Sequence, residues 1–334
     1  MSVRVSRLSA SAVCIAVFLV SSGSSVLAQS EIYVRDSSIP IERNYFTTYY
    51  VDHAPVSESL SPVRKVTVTA EDGGVTASVL RMPPGEGPFP AIIMLHGGTD
   101  QRPLDGLWVT LMENPVYTRI LAAGYVVVGA TYRSYTKNIR EDGAILDVIA
   151  MVDYLKTLSE VDNDSVVLFG GSAGGALSLA VASRIQITAI GLGEPATHLY
   201  GAYYTSHDRK DEKEMARPVR MGRGNRAYSI FSEEEMHERY VAKLKTMDCP
   251  ILLLQGNIRM DVNGEINNRF KPALEAAKKK VSHKLYPGMK HGFYFGRHPE
   301  TTPEVIEDVA QTVLTFFGEH IKVKPKPIIL DHKG

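Results

Sequence analysis

The sequence contains little cysteine, with two residues in 334. Cys14 lies in the first apolar segment, so Cys249 is the only cysteine of the remaining chain. An intrachain disulfide is therefore excluded once that segment is removed, and stability must come from a hydrophobic core. Cys249 precedes Pro250 and an apolar run, a position typical of the entrance to a buried strand and not of a catalytic nucleophile.

The chain also lacks an excess of charge, because 37 Lys and Arg residues balance 37 Asp and Glu residues. No basic stripe is present, so binding to nucleic acid is not expected. The 44% hydrophobic and 22% charged content is typical of a globular protein and excludes disordered and collagen-like classes. No pair of histidines has the spacing of a zinc site and no dinucleotide fingerprint is found, so we expect neither a metal nor an organic cofactor.

No apolar run is long enough to cross a bilayer comfortably. The longest one at the N-terminus, residues 10–20, follows Arg4 and Arg7 and precedes a small, polar stretch that ends in Val26-Leu27-Ala28. This pattern predicts a signal peptide over residues 1–28, cleaved after Ala28. A secreted or periplasmic protein without stable membrane insertion follows, and a membrane anchor is the alternative.

The remaining chain divides by pattern. Residues 29–62 show no clear period and indicate an irregular arm, whereas apolar alternation on both sides of Asp72-Gly73-Gly74 predicts a hairpin. Five short apolar runs then predict strands buried on both faces, at 91–95, 125–130, 165–169, 187–192 and 251–254. Helical periodicity is found at 141–159, 173–184, 233–245, 267–280 and 303–320.

Strands that alternate with helices predict an α/β fold, with a doubly wound, mostly parallel sheet flanked by helices, over residues 63–321. Residues 196–247 interrupt the alternation with charged stretches. They form either a solvated excursion or a small cap over a substrate pocket. The basic, Pro-bearing residues 322–334 predict a flexible tail.

The strongest chemical motif is Gly170-Gly171-Ser172-Ala173-Gly174, which follows an apolar run and begins a helix. A strand, a sharp turn with serine at its apex and a helix form a nucleophile elbow. The residues two positions before and after the serine must be glycine to avoid clashes in that turn. A dinucleotide site needs glycine at the position of Ser172, and a phosphate loop needs lysine after the glycines, so both alternatives fit worse.

A serine nucleophile needs donors for an oxyanion, and they should follow an upstream strand. His96-Gly97-Gly98 ends the first buried run, so the backbone amide of Gly98, or that of Thr99 beside it, is expected to donate together with Ala173. His96 lies at a strand end in a glycine-rich turn, and we interpret it as structural.

A base and an acid should follow downstream. His291 lies on a loop after the last strand, behind the turn Pro287-Gly288, and is the predicted base. Asp261 is the first choice for the acid because it follows the strand at 251–254. Glu265 nearby and Glu194, which follows the strand at 187–192, are the alternatives.

These motifs together resemble the α/β-hydrolase superfamily, within it the branch of dienelactone hydrolases and prolyl oligopeptidase catalytic domains. The resemblance spans residues 63–320 and rests on five motifs: His96-Gly97-Gly98, Tyr132-Arg133, Gly170 to Gly175, Gln255-Gly256 and His291-Gly292-Phe293. It implies Ser172 as nucleophile, His291 as base and Asp261 as acid. Asp261 departs from the pattern, because it comes two residues later after Gly256 than the family places its acid.

The expected function is hydrolysis of small or polymer-linked carboxylic esters through an acyl-enzyme on Ser172. A serine peptidase of the prolyl oligopeptidase kind is the first alternative, although too few residues precede the core for a propeller domain. A non-catalytic binding protein with a hydrolase fold is the second alternative. The sequence does not determine the oligomeric state.

Overall fold

A computed structural model describes residues 28–35, 62–134, 143–202, 232–258 and 260–328. Its centre is a nine-stranded sheet in the order β1-β2-β3-β5-β4-β6-β7-β8-β9. The strands are β1 (Ala28–Ile32), β2 (Arg64–Thr69), β3 (Val75–Arg81), β4 (Phe89–Leu95), β5 (Val126–Ala130), β6 (Val161–Gly171), β7 (Ile190–Gly193), β8 (Ile251–Gln255) and β9 (Val281–Leu285).

The sheet is mixed. The pairs β1–β2, β2–β3 and β3–β5 are antiparallel, and every other neighbouring pair is parallel. All residues of β4, β5, β7 and β8 are buried, as expected for strands covered on both faces. The predicted mostly parallel α/β fold, its five buried strands and its hairpin are confirmed.

Helices follow most of the parallel strands. Those in the described part of the chain are α1 (Leu104–Glu113), α2 (Pro115–Ala122), α3 (Gly143–Thr157), α4 (Ala173–Ala182), α5 (Thr197–Ala202), α6 (Glu233–Thr246), α7 (Met260–Glu265), α8 (Lys271–Ala276) and α9 (Pro303–His320). A short π-helix, Ile266–Phe270, joins α7 to α8. Local signals explain their starts: Asn114 caps α2, and Ser232 forms a capping box with Glu235 at α6.

Two hydrophobic clusters lie on opposite faces of the sheet. Ile93 and Leu95 of β4 pack in the cluster that includes α3, α4 and α6, whereas Ile92 and Met94 pack in the cluster that includes α1, α2 and α9. Neighbouring side chains of one strand point to opposite faces, so β4, β5, β6 and β8 each contribute to both clusters. This double burial holds the carboxyl ends of β4, β6, β7 and β8 at one rigid edge.

Three sequence expectations need correction. Residues 28–32, assigned to the signal end and the irregular arm, form strand β1, which pairs with β2. Helices α1 and α2 were not predicted. The tail 322–334 is not free at its start, because the amide N–H of Ile328 donates to the carbonyl of Ala122 over 2.7 Å, and that of Lys322 donates to Ser165 Oγ over 3.0 Å.

Some predicted segments lie outside the described residues. They are the signal segment up to residue 27, residues 36–61 of the arm, residues 203–231 of the possible cap and residues 329–334 of the tail. Within the described ranges, no helix combines the length and the hydropathy that a bilayer crossing requires.

Candidate active site

Ser172 occupies the sharp turn between β6 and α4. Its backbone has φ 55° and ψ −118°, a conformation that residues with a side chain rarely adopt. Such strain persists only where the surroundings impose it, and it occurs most often at functional sites. The predicted strand, sharp turn and helix are therefore present, with the serine at the apex.

The glycines around Ser172 are required by close backbone contacts. A Cβ atom on Gly170 would lie 2.2 Å from the carbonyl oxygen of Gly174, and one on Gly174 would lie 2.3 Å from that of Leu95. Both distances are far shorter than any non-bonded contact between a carbon and an oxygen atom. The sequence argument that both flanking positions must be glycine is thus borne out sterically.

The loop after β4 lies against the nucleophile turn. A Cβ atom on Gly97 would lie 3.3 Å from the Cβ of Ser172, so the peptide backbone of this loop reaches Ser172 itself. Gly98 has φ 80°, a left-handed conformation suited to glycine. Ala173 opens helix α4, so its amide lies at the helix end that carries the positive end of the dipole.

His96 is built into the core of this loop. Its ring stacks on Tyr132 with 4.2 Å between centroids, and the Tyr132 hydroxyl donates to the His96 carbonyl oxygen over 2.5 Å. Burial lowers the pKa of His96 to about 3, so the ring is neutral at physiological pH. Its Nδ1 lies 3.1 Å from the carbonyl oxygen of Gly97, which can only accept, so the contact is a hydrogen bond when Nδ1 carries the proton.

His291 meets a carboxylate, and that carboxylate is Glu194. The His291 Nδ1 and the Glu194 Oε2 are 3.0 Å apart, the Glu194 side chain is fully buried and the His291 side chain is 16% exposed. The second oxygen of Glu194 accepts the amide N–H of Gly256 over 3.2 Å. Glu194 also has a positive φ of 41°, directly after β7.

This contact favours one of the alternatives to the first choice for the acid, because the carboxylate found at His291 Nδ1 belongs to Glu194. Asp261 lies in α7, and its side chain is outside the described part of the chain. Glu265 is engaged elsewhere: it accepts from Tyr240 Oη and from Arg269 Nη1, each over 2.7 Å. Of the candidates whose side chains the structure describes, Glu194 is the one that contacts the histidine.

Backbone hydrogen bonds between adjacent strand ends hold Ser172 and Glu194 close together. The amide of Ser172 donates to the carbonyl of Gly193 over 2.9 Å, and the amide of Ala196 donates to the carbonyl of Ser172 over 2.8 Å. The amide of Glu194 donates to Leu254 on the next strand over 2.9 Å. Serine, glutamate and the histidine bound to it thus share the carboxyl edge of the parallel strands, where α/β sheets bind ligands.

The ring of Tyr294, which the sequence analysis missed, packs under this edge of the sheet. A Cβ atom on Gly171 would lie 2.3 Å from the Tyr294 ring, and one on Gly193 would lie 2.6 Å from it. The His291 ring also meets Tyr294, edge to face, with 6.2 Å between centroids. The run Phe293-Tyr294-Phe295 directly after His291-Gly292 was the available signal.

The Cys249 thiol and the arrangement of metal-ligating side chains concern two other chemistries. Burial raises the pKa of the Cys249 thiol to about 12, so this cysteine does not supply a thiolate near neutral pH. No group of three or more metal-ligating side chains is found within the described ranges.

A comparison with protein families matches residues 112–295 to a family described as an alpha/beta hydrolase fold. Similar solved structures include brefeldin A esterase, a bacterial homologue of human hormone sensitive lipase. It is 20% identical with a TM-score of 0.57, covering 83% of this chain and 81% of that one. A mutant of esterase rPPE is 18% identical with a TM-score of 0.56, covering 80% and 85%.

A puromycin-hydrolyzing peptidase of Mycobacterium tuberculosis is also similar. It is 21% identical with a TM-score of 0.54, and the match covers 81% of this chain but 41% of that one. At these identities the likeness concerns the fold.

Proposed function

The chain belongs to the α/β-hydrolase fold family, and on that premise we propose that it is a serine hydrolase that cleaves carboxylic esters through an acyl-enzyme on Ser172. The observation that carries the proposal is the 3.0 Å contact between His291 Nδ1 and the buried Glu194. A serine nucleophile needs a base and an acid that orients this base. The contact would supply both at the sheet edge where the strained Ser172 lies.

In the proposed cycle, Ser172 Oγ attacks the ester carbonyl carbon while His291 takes the hydroxyl proton. Glu194 holds Nδ1, so the proton is received at Nε2, and the carboxylate stabilises the imidazolium that forms. The amides of Gly98 and Ala173 donate to the oxyanion of the tetrahedral intermediate. The imidazolium then protonates the leaving alkoxide. In the second half of the cycle, water attacks the acyl-enzyme, His291 takes the proton of the water and returns it to Ser172 Oγ, and the acid is released.

Ester substrates are preferred in this proposal, either small or linked to a polymer. Several of the similar folds are esterases by name, among them the brefeldin A esterase. Peptide cleavage is the second candidate, because one similar structure is a puromycin-hydrolyzing peptidase. The resemblance of the motifs to dienelactone hydrolases and prolyl oligopeptidase catalytic domains fits either reaction.

The expected result is turnover of p-nitrophenyl esters of short acids with little release of p-nitroaniline from peptide anilides. The amine of an amide is a poorer leaving group than the alcohol of an ester, so the same triad should cleave amides more slowly. Both substrate sets are assayed with the same purified protein, and labelling by a fluorophosphonate serves as a measure of nucleophile reactivity. Peptide turnover without ester turnover would favour the peptidase, and absence of labelling and turnover would favour the binding protein.

We also propose export, with residues 1–28 acting as the signal. Because β1 begins at Ala28, cleavage there would leave Gln29 to Ile32 in place to pair with β2. The expected result is a mature protein, found outside the cytoplasm, whose N-terminal sequence begins at Gln29. An intact N-terminus in a membrane fraction would indicate an anchor instead.

A further inference from the structure

Arg102 makes a hydrogen bond to the loop that carries the proposed oxyanion donor. Its guanidinium Nη2 donates to the carbonyl oxygen of Gly97 over 3.0 Å, and it would lie 2.8 Å from a Cβ atom placed on Gly98. The backbone of Arg102 is itself fixed at the end of β5. Its amide donates to Thr131 Oγ1 over 3.0 Å, and that hydroxyl donates back to the Arg102 carbonyl over 3.1 Å.

The carbonyl that Arg102 holds shares a peptide unit with the Gly98 amide. That unit is planar and trans, so its C=O and N–H point in opposite directions. Holding the Gly97 oxygen therefore sets the direction of the Gly98 N–H. The restraint matters because a peptide between two glycines rotates more easily than others, and Gly98 already has φ 80°.

The same peptide lies beside the nucleophile. Gly97 packs so closely on Ser172 that a Cβ atom there would be 3.3 Å from the Ser172 Cβ. Hydrogen bonds that involve a charged donor are stronger than neutral ones, and a polarised carbonyl makes its own amide a better donor. The His96 Nδ1 approaches the same oxygen at 3.1 Å and is a second donor to it when Nδ1 carries the proton.

We propose that Arg102 is a positioning residue of the oxyanion hole: by holding the Gly97 carbonyl, its guanidinium aims the Gly98 N–H at the oxyanion that forms on Ser172. The inference rests on the proposed serine hydrolase function. It assigns a catalytic effect to a side chain that acts through the backbone and takes no part in proton transfer.

The test compares Arg102→Met and Arg102→Lys with the wild-type protein, using p-nitrophenyl butyrate and separate values of kcat and KM. We expect kcat of Arg102→Met to fall about 10- to 100-fold with KM changed less than about twofold, since a misdirected donor affects the transition state. Arg102→Lys keeps a charged donor and should recover most of kcat. Arg119→Met is the matched control, because Arg119 also donates to a backbone carbonyl, that of Pro115, over 3.1 Å.

A second variant separates positioning from loss of folding. Added guanidinium, at a non-denaturing millimolar concentration, should raise kcat of Arg102→Ala and leave that of Ser172→Ala unchanged. An active wild type with an unchanged kcat in Arg102→Met, a rise in KM alone, or no rescue of Arg102→Ala would overturn the inference and leave the proposed function standing. A wild type without Ser172-dependent turnover would overturn both.

Discussion

Ser172→Ala is expected to abolish ester hydrolysis, with kcat lowered by about a million-fold. The serine oxygen is the atom that forms the proposed acyl-enzyme, and Ser172 lies at the apex of the strained turn with φ 55°. The residual rate should be that of the remaining oxyanion donors and of substrate binding. Steady-state assays of a p-nitrophenyl ester measure the loss of turnover, and labelling with a fluorophosphonate measures the loss of the reactive serine.

The fold should survive this change, because alanine in place of Ser172 removes one oxygen and adds no volume. Equal thermal unfolding of the wild-type and variant proteins checks this expectation. Ser159→Ala is the matched control, since Ser159 is an exposed serine that donates to Glu160 over 3.0 Å. Retained labelling of Ser172→Ala would place the reactive group elsewhere and reject the proposed nucleophile.

Glu194→Gln is expected to lower kcat by about 10³- to 10⁴-fold, the loss seen when the acid of a serine triad becomes an amide. The surroundings of Glu194 give the reason. One carboxylate oxygen accepts the amide N–H of Gly256 over 3.2 Å, so the glutamine oxygen would remain there and its NH₂ group would face His291 Nδ1. The ring would then carry its proton on Nε2, where it cannot accept the proton of Ser172.

The competing acids provide the controls for this prediction. Asp261→Asn and Glu265→Gln should each change kcat less than about threefold, because the carboxylate at the ring belongs to Glu194. All three substitutions remove one charge with little change in the shape of the side chain. Differences in kcat among the three variants therefore show which carboxylate acts on His291. A severe loss in Asp261→Asn with an active Glu194→Gln would reverse the assignment and restore the first choice made from the sequence.

The parts of the fold that sequence analysis predicted are those with a strong local signal. Fully apolar runs mark β4, β5 and β8, and a long amphipathic period marks α9, which begins with Pro303 and ends at His320 as expected. In each case the segment's own pattern of apolar residues is sufficient to predict the strand or the helix. This pattern shows directly whether the segment is buried on both faces or along one stripe.

Two of the segments that were missed, β1 and the start of the tail, depend on distant partners. Strand β1 has four exposed residues in five and no clear pattern, and it is ordered by its pairing with β2. The start of the tail looks like a free end, yet the Ile328 amide meets Ala122. Such segments gain their structure from hydrogen bonds to other parts of the chain, which no local period reveals.

By itself, the sequence determined the nucleophile turn, since glycines at 170 and 174 and a serine between them answer steric demands within five residues. It also determined which histidine follows the last strand. Only the tertiary structure brought Glu194 to His291, because the two residues are 97 positions apart in the chain and meet where parallel strands end side by side. Spacing along the chain pointed to Asp261, whereas the meeting of side chains depends on the order of strands in the sheet, which places β7 between β6 and β8.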